Sequence, residues 1–334
     1  MIELKNISYH YNKSNKILEN INLNIEDGKI TAIVGKNGSG KSTLLNLIGG
    51  LLKPTKGEIL VDGIKTKSKK NFLELRKKIG IVFQNPESQI LFPRVYDEVE
   101  FVLKNMNIDY NEELIHQVLA EVNMDELYKS NSFDLSMGQK QRLNIACALS
   151  HKPKYLLFDE PTTMIDSYEK ENFYNIIKKL KAENYTIVFV TNNATELLLA
   201  DKIIVVENAQ IKDQFSKKSI LNKLDMLEQS KIEIPNLLKL LLKLKKKNIK
   251  FKLKEWTIEE IMEAIVEAVD NGWFVEISII YRNCKFNIFH KISNCTNYSI
   301  GSINSFNWYS KNRFFCFNKS FYKIITLIIN NIFI

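Results

Sequence analysis

The sequence predicts an α/β fold, in which a mostly parallel core sheet packed with helices is joined to an antiparallel β subdomain and a helical subdomain. Three observations predict it. Residues 2–7 and 21–25 alternate apolar and polar side chains, as strands with one wet face do. Residues 155–158 and 186–190 are short apolar runs separated by a helical pattern around 168–183, and strand–helix alternation of that kind implies parallel pairing. From about 97 to 150 the pattern is mostly helical, with few Gly or Pro.

Taken in order, Asp27-Gly28 marks a turn and Ile30–Val34 reads as a buried strand. Residues 43–52 have helical apolar spacing, ended by Pro54 and Gly57. Two short helices are expected over 236–247 and 258–270; Thr257 with Glu260 forms a capping-box pattern at the second, and Gly272 supplies a stop. After Glu276 the composition changes: Ala, Pro, Asp and Met vanish, while Asn, Ile, Phe, Lys and Ser dominate. Asn-rich chain without a helical or strand period argues against a packed core, so 276–334 is read as a low-complexity tail. The sharper alternative is a membrane-contacting end, because 324–334 is strongly apolar, yet that run is too short to span a bilayer.

At 334 residues, 45% hydrophobic and 25% charged, the chain has the composition of a globular protein with one large or two ordinary domains. Glu3 and Lys5 interrupt the stretch where a signal peptide would be apolar. Up to about residue 275 no run approaches the roughly 18 apolar residues of a membrane span. Cys147, Cys284, Cys295 and Cys316 show neither metal-ligand nor disulfide spacing, which suits a reducing cytosol. The net charge of +9 invites a nucleic-acid reading, but Arg282, Lys285, Lys291, Lys311, Arg313, Lys319 and Lys323 face a single acid, Glu276, in the tail. That leaves +3 for the first 275 residues, so no nucleic-acid partner is expected.

The chemistry begins at Gly35, Lys36, Asn37, Gly38, Ser39, Gly40, Lys41 and Ser42, which fit G-x-x-x-x-G-K-S/T between a strand and a helix, with Thr43 following. Glycines let the backbone curl until successive N–H groups face phosphate oxygens, and the helix N-terminus adds positive potential. Lys41 can reach the β- and γ-phosphates of a nucleotide, and the Ser42 hydroxyl can ligate Mg²⁺. The apolar run at 155–158 ends in Asp159 and Glu160. Beside a phosphate loop in a parallel sheet, Asp159 would be delivered to the Mg²⁺ region, and Glu160 is placed to polarise a water for attack on the γ-phosphate.

Between these motifs stands Leu135-Ser136-Met137-Gly138-Gln139, which resembles the L-S-G-G-Q signature of ABC ATPases. Other elements resemble that family in the expected order. Gln84 in Val82-Phe83-Gln84-Asn85-Pro86 matches the Q-loop, Asp166 the D-loop, and Tyr11 the aromatic that stacks on adenine. Within the family, the run from Val82 to Gln89 continuing to Phe101, and the helical ending around Pro235 to Glu260, are similar to the ATPase (A) component of energy-coupling-factor and cobalt-type importers.

The resemblance implies a P-loop NTPase of ABC type over 1–225, with a helical subdomain at about 88–150, a helical extension over 226–275 and the tail over 276–334. It implies an ATPase that powers import of a vitamin or transition-metal ion from the cytoplasmic face of the membrane. Its partners would be a second ATPase subunit and integral membrane subunits, with ATP and Mg²⁺ as ligands. Ser136 and Gly138 would bind the γ-phosphate of the partner's nucleotide, Gln139 completing the signature; Gln84 would sense the γ-phosphate and share the metal site with Ser42 and Asp159.

Two positions depart from the family pattern. Met137 replaces a Gly whose close backbone approach and unusual dihedrals serve the phosphate contact. Asn192 replaces the switch His, and is shorter and uncharged at neutral pH. Both are read as weakening a site, Asn192 its own and Met137 the partner's, which favours a heterodimer in which each composite site carries one defect. His116 and His151 are no substitutes for the switch residue. Other readings are a soluble, non-transport ABC ATPase and a nucleotide-binding regulatory subunit with little turnover. A single phosphate loop and the lack of a heptad insertion between Gln84 and Ser136 weigh against the first.

Overall fold

Apolar alternation at the start of the chain produces β1 (Ile2–Asn12) and β2 (Asn15–Ile25), an antiparallel pair. The computed structural model describes residues 1–12, 15–246, 253–254, 256, 260–261 and 263–265. Next come β3 (Ile30–Val34), α1 (Lys41–Ile48), β4 (Lys56–Val61), β5 (Ile64–Lys65), α2 (Phe72–Lys78) and β6 (Ile79–Val82). A helical stretch follows, with α3 (Val95–Asn105), α4 (Glu112–Glu121) and α5 (Met137–Leu149). The chain then alternates through β7 (Tyr155–Asp159), α6 (Ser167–Ala182), β8 (Thr186–Val190), α7 (Ala194–Leu199), β9 (Lys202–Glu207), β10 (Gln210–Ser216) and α8 (Leu224–Gln229).

One sheet has the order β2-β1-β4-β5 and is antiparallel; the other has the order β10-β9-β3-β8-β7-β6 and is parallel except for its β9–β10 edge. The two-sheet organisation and its parallel core follow the sequence expectation. All five residues of β3, β7 and β8 are buried, as apolar runs covered on both faces must be. Leu44, Leu45, Leu47 and Ile48 of α1 share one core with Ile2, Leu4 and Ile59 of the antiparallel sheet and Leu157, Val188 and Ile204 of the parallel one.

Some boundaries differ from the expectation for local reasons. The helix expected over 43–52 stops at Ile48, because Gly49 and Gly50 follow and Gly50 takes φ 67°. The long helical pattern is cut at Asn107 and Asn123, whose φ values of 50° and 56° place them in the left-handed region that Asn tolerates. Sequence patterning did not single out β6 or the β9–β10 hairpin.

The chain divides into two compact units, Met1–Glu233 and Ile234–Ile334. In the second, α9 (Asn236–Lys246) buries Leu238, Leu240, Leu241 and Leu244 and carries Lys243, Lys245 and Lys246 in its last turn. The Glu260 carboxylate accepts from the Lys254 and Trp256 N–H groups. Thr257, most of the helix expected over 258–270, and the tail at 276–334 lie outside the described residues. No helix among the described residues is long and apolar enough to cross a membrane.

Candidate nucleotide site

Topology alone brings the sequence motifs into a row. In the order β3-β8-β7-β6, the carboxyl ends of four parallel neighbours lead into the glycine loop, Asn192, Asp159 with Glu160, and Gln84. Ligand crevices form at that edge of open parallel sheets.

The loop between β3 and α1 holds Gly35, Gly38 and Gly40 at φ of 154°, 78° and 100°. At Gly35 a Cβ would also fall 2.1 Å from the Val206 carbonyl oxygen, so only glycine fits. Lys41 is buried at the start of α1 and its Nζ donates to the Gly35 and Lys36 carbonyls at 2.8 and 3.2 Å. Burial pulls its pKa down, and the carboxylates of Glu160 and Asp159 oppose that. The Lys36 side chain pairs instead with Glu207 at 3.2 Å, while Asn37 and Gly38 are exposed.

Ser42 Oγ donates to Asp159 Oδ1 at 2.8 Å, joining the loop to the end of β7. Burial raises the Asp159 pKa; the Ser42 hydrogen bond acts the other way, as does the more weakly felt charge of Lys41. One residue on, Glu160 takes φ 43°, rare for a non-glycine residue, with its N–H bonded to the Val190 carbonyl at 2.8 Å. This turn gives the two carboxylates different partners: Asp159 faces Ser42, whereas Glu160 Oε2 accepts from Gln84 Nε2 at 3.0 Å.

Asn192 lies against the glycine loop. Its side-chain amide is 3.0 Å from that of Asn37, and in the orientation that satisfies both ends its Nδ2 donates to the Gly35 carbonyl at 2.7 Å and to Thr191 O at 3.1 Å. Tyr11 stands exposed at the rim, edge-on to Tyr9 with centroids 5.0 Å apart, and its hydroxyl is 3.3 Å from Thr43 Oγ1.

The signature residues form a separate constellation. Ser136 caps α5: its Oγ accepts from the Gln139 N–H at 3.2 Å, and Gln139 Oε1 accepts from the Ser136 N–H at 2.9 Å, a closed capping box. Met137 opens the helix without a positive φ, which corrects one expectation: no unusual dihedral is required there, and its bulk alone distinguishes it from glycine. The tightly packed glycine here is Gly138, where a Cβ would fall 2.1 Å from Cγ of Glu169, so the Glu169 side chain would have to move. Asp166 caps α6, its Oδ1 accepting from the Tyr168 and Glu169 N–H groups at 2.8 and 2.9 Å. Among the described residues, no hydrogen bond joins residues 136–139 to the glycine loop. His116 of α4 pairs with Asp125 in the turn that follows, and His151 Nε2 lies 3.3 Å from the Ile79 carbonyl; neither reaches the site.

Three site-supporting residues escaped sequence reading. Lys140 Nζ meets Glu87 at 2.7 Å, Asn144 Nδ2 donates to the Pro86 carbonyl at 2.9 Å, and Gln141 Nε2 donates to the Pro161 carbonyl at 2.9 Å. All three side chains are buried, so α5 is tied through polar bonds to the segment after Gln84 and to the one after Glu160. The available signal was a polar run opening a helix that has no clean apolar stripe.

Residues 18–163 match the ABC transporter family. The energy-coupling factor transporter ATP-binding protein EcfA1 of Ligilactobacillus salivarius is 40% identical over 268 residues, covering 79% of this chain and 94% of the relative. EcfA1 of Fusobacterium nucleatum is 36% identical over 271 residues, covering 80% and 100%. Among solved structures, cbiO1 from Clostridium perfringens, part of the ABC transporter complex cbiONQ, superposes with a TM-score of 0.61 at 30% identity, covering 72% of this chain and 98% of that one. The ATP-binding cassette MJ0796, in a dimeric post-hydrolysis state with ADP and phosphate, gives 0.59 at 32% identity over 65% and 99%. With a glycine loop, an acidic strand end and a capped signature helix on one cassette, the chain belongs to the ABC transporter ATPases, and within them to the energy-coupling-factor type.

Proposed function

We propose that Glu160 is the general base of ATP hydrolysis in a membrane importer, with Gln84 orienting it. The observation that carries this is the division of labour at the end of β7. Asp159 is committed to the loop serine, while Glu160 turns away through a left-handed backbone onto Gln84. Lys41 is stored on loop carbonyls and becomes available to phosphate oxygens, and the positive-φ glycine cradle fits a triphosphate. Ser42, Asp159 and Gln84 offer oxygen ligands that suit Mg²⁺, which when bound neutralises phosphate charge. Tyr11 presents an open ring for the adenine.

The signature half serves a second nucleotide. Ser136 is exposed at a helix N-terminus and shares no bond with the chain's own loop, as expected of a group that completes a partner's site. A different second ATPase subunit is favoured over a second copy: Asn192 and Met137 weaken different composite sites, so a heterodimer places one defect in each. The names of the relatives support integral membrane partners and a place at the membrane face, and solute recognition, whether of a vitamin or a transition-metal ion, would rest on those membrane subunits. The test is purification of the chain from membranes with its partners, followed by reconstitution in vesicles. ATP-driven uptake that Glu160→Gln abolishes while ATP still binds is the expected result; undiminished uptake with that variant would refute the assignment.

A further inference from the structure

Behind the row of strand ends lies a carboxyl group that the nucleotide chemistry does not use. Glu196, in the first turn of α7, has no exposed surface. Its Oε1 accepts from Thr162 Oγ1 at 2.6 Å, and its buried Oε2 has no partner within hydrogen-bond distance among the described residues. Thr162, itself buried, also accepts from Asn193 Nδ2 at 3.2 Å, and the same amide donates to the Tyr174 hydroxyl of α6 at 3.2 Å. Asn193 is fixed at its other end, where its Oδ1 accepts from the Thr195 N–H and its own N–H donates to Thr191 Oγ1, both at 2.8 Å.

Thr162 therefore meets a second loop through Asn193 and is itself anchored on α7 by Glu196. The first loop carries Glu160 two residues before Thr162; the second carries Asn192 one residue before Asn193. Glu160 is held at φ 43°, and a strained backbone persists only where its surroundings over-determine it. The Glu160 N–H bond to the Val190 carbonyl supplies part of that restraint, and the Thr162 anchor with the Gln141 bond to the intervening Pro161 carbonyl supplies the rest. We propose that Glu196 is a positioning residue for ATP hydrolysis, which through Thr162 fixes the loop of Glu160 to α7, the helix that follows Asn192, without touching the nucleotide. The proposal rests on Glu160 as the base.

The surroundings of the carboxyl pull on it in both directions. Burial pushes its pKa up; the nearby Thr162 and Thr191 hydroxyls and, more weakly, the Lys170 charge act in the other direction, and Glu160 adds to the rise. Gln keeps the shape of the side chain and an oxygen that can accept from Thr162, which separates positioning from charge.

The experiment is steady-state ATPase of the full assembled complex, with ATP affinity measured on the same samples. Glu196→Ala should lower kcat by about tenfold to hundredfold, the cost of small misplacements of reacting groups. KM and ATP affinity should stay within roughly twofold, because only the transition state is affected. Glu196→Gln should retain turnover within about threefold. Thr162→Val should reproduce the Ala loss, and the double variant should be no slower than either single one, as expected for two parts of one unit. Normal turnover in Glu196→Ala, a fall in ATP affinity that parallels kcat, or a Gln variant as slow as Ala would each overturn the proposal. Glu160→Gln measured beside them reports on the base itself, so a failure of that assignment is distinguishable.

Discussion

The glycine-loop half and the signature half of this molecule are built on opposite plans. In the first, the groups that would meet a nucleotide have partners it could replace: Lys41 holds loop carbonyls, Ser42 holds Asp159, and Gln84 holds Glu160. In the second, the polar groups are spent on the chain itself, with Ser136 and Gln139 capping each other and Asp166 capping α6. It is also closely packed, with Gly138 against Glu169. One half is a socket waiting for a ligand; the other is a stiff edge shaped to be presented to something else. That difference is the physical reason to expect ATP turnover to be shared between subunits.

Substitutions sharpen the contrast. Glu160→Gln should have the largest effect, reducing turnover of the assembled complex by about 10²-fold or more while ATP binding, followed by nucleotide fluorescence, persists. Gly138→Ala attacks the stiff edge instead. Its methyl group must displace Glu169, so chemical denaturation should show a loss of about 1–3 kcal/mol, with ATP binding by the isolated chain unchanged. Equal damage to ATP binding from both variants would break the comparison.

A network at the amino ends of the strands, remote from both halves, provides a control. Asp62 accepts from Lys154, the amino group of Met1, Tyr155 and Lys78. Burial alone would raise its pKa, but these donors hold it well below the usual carboxylate range. A depressed pKa in the folded state contributes stability that is present above the unfolded value and is lost as pH falls through the folded one. Asp62→Asn should therefore cost about 1–2 kcal/mol at pH 7, and the gap to the parent should shrink below about pH 4. The smallest effect is expected from Asn192→His, which should raise turnover of the complex a few-fold by restoring a donor that reaches the γ-phosphate.

The strand ends were legible in the sequence because covalent spacing fixes them. An apolar run ending in Asp159-Glu160, or a glycine loop between strand and helix, leaves few alternatives. The helix breaks at Asn107 and Asn123 were not, since Asn adopts the left-handed region only where the chain around it requires a stop. At Met137 only the dihedral argument fell away: a glycine position can reflect dihedral or space, and only coordinates tell which. Lys140, Gln141, Asn144 and Glu196 were hidden because buried polar residues are defined by partners distant in sequence, such as Pro86 and Thr162.

The central claim, that the two halves of this chain serve different nucleotides, is tested most directly by comparing ATPase rates of the chain alone, the second ATPase subunit alone, and the complex of both with their membrane subunits. Separate composite sites predict slow hydrolysis by either subunit alone and a rate for the complex well beyond their sum. A lone chain that turns over as fast as the full complex would contradict the account.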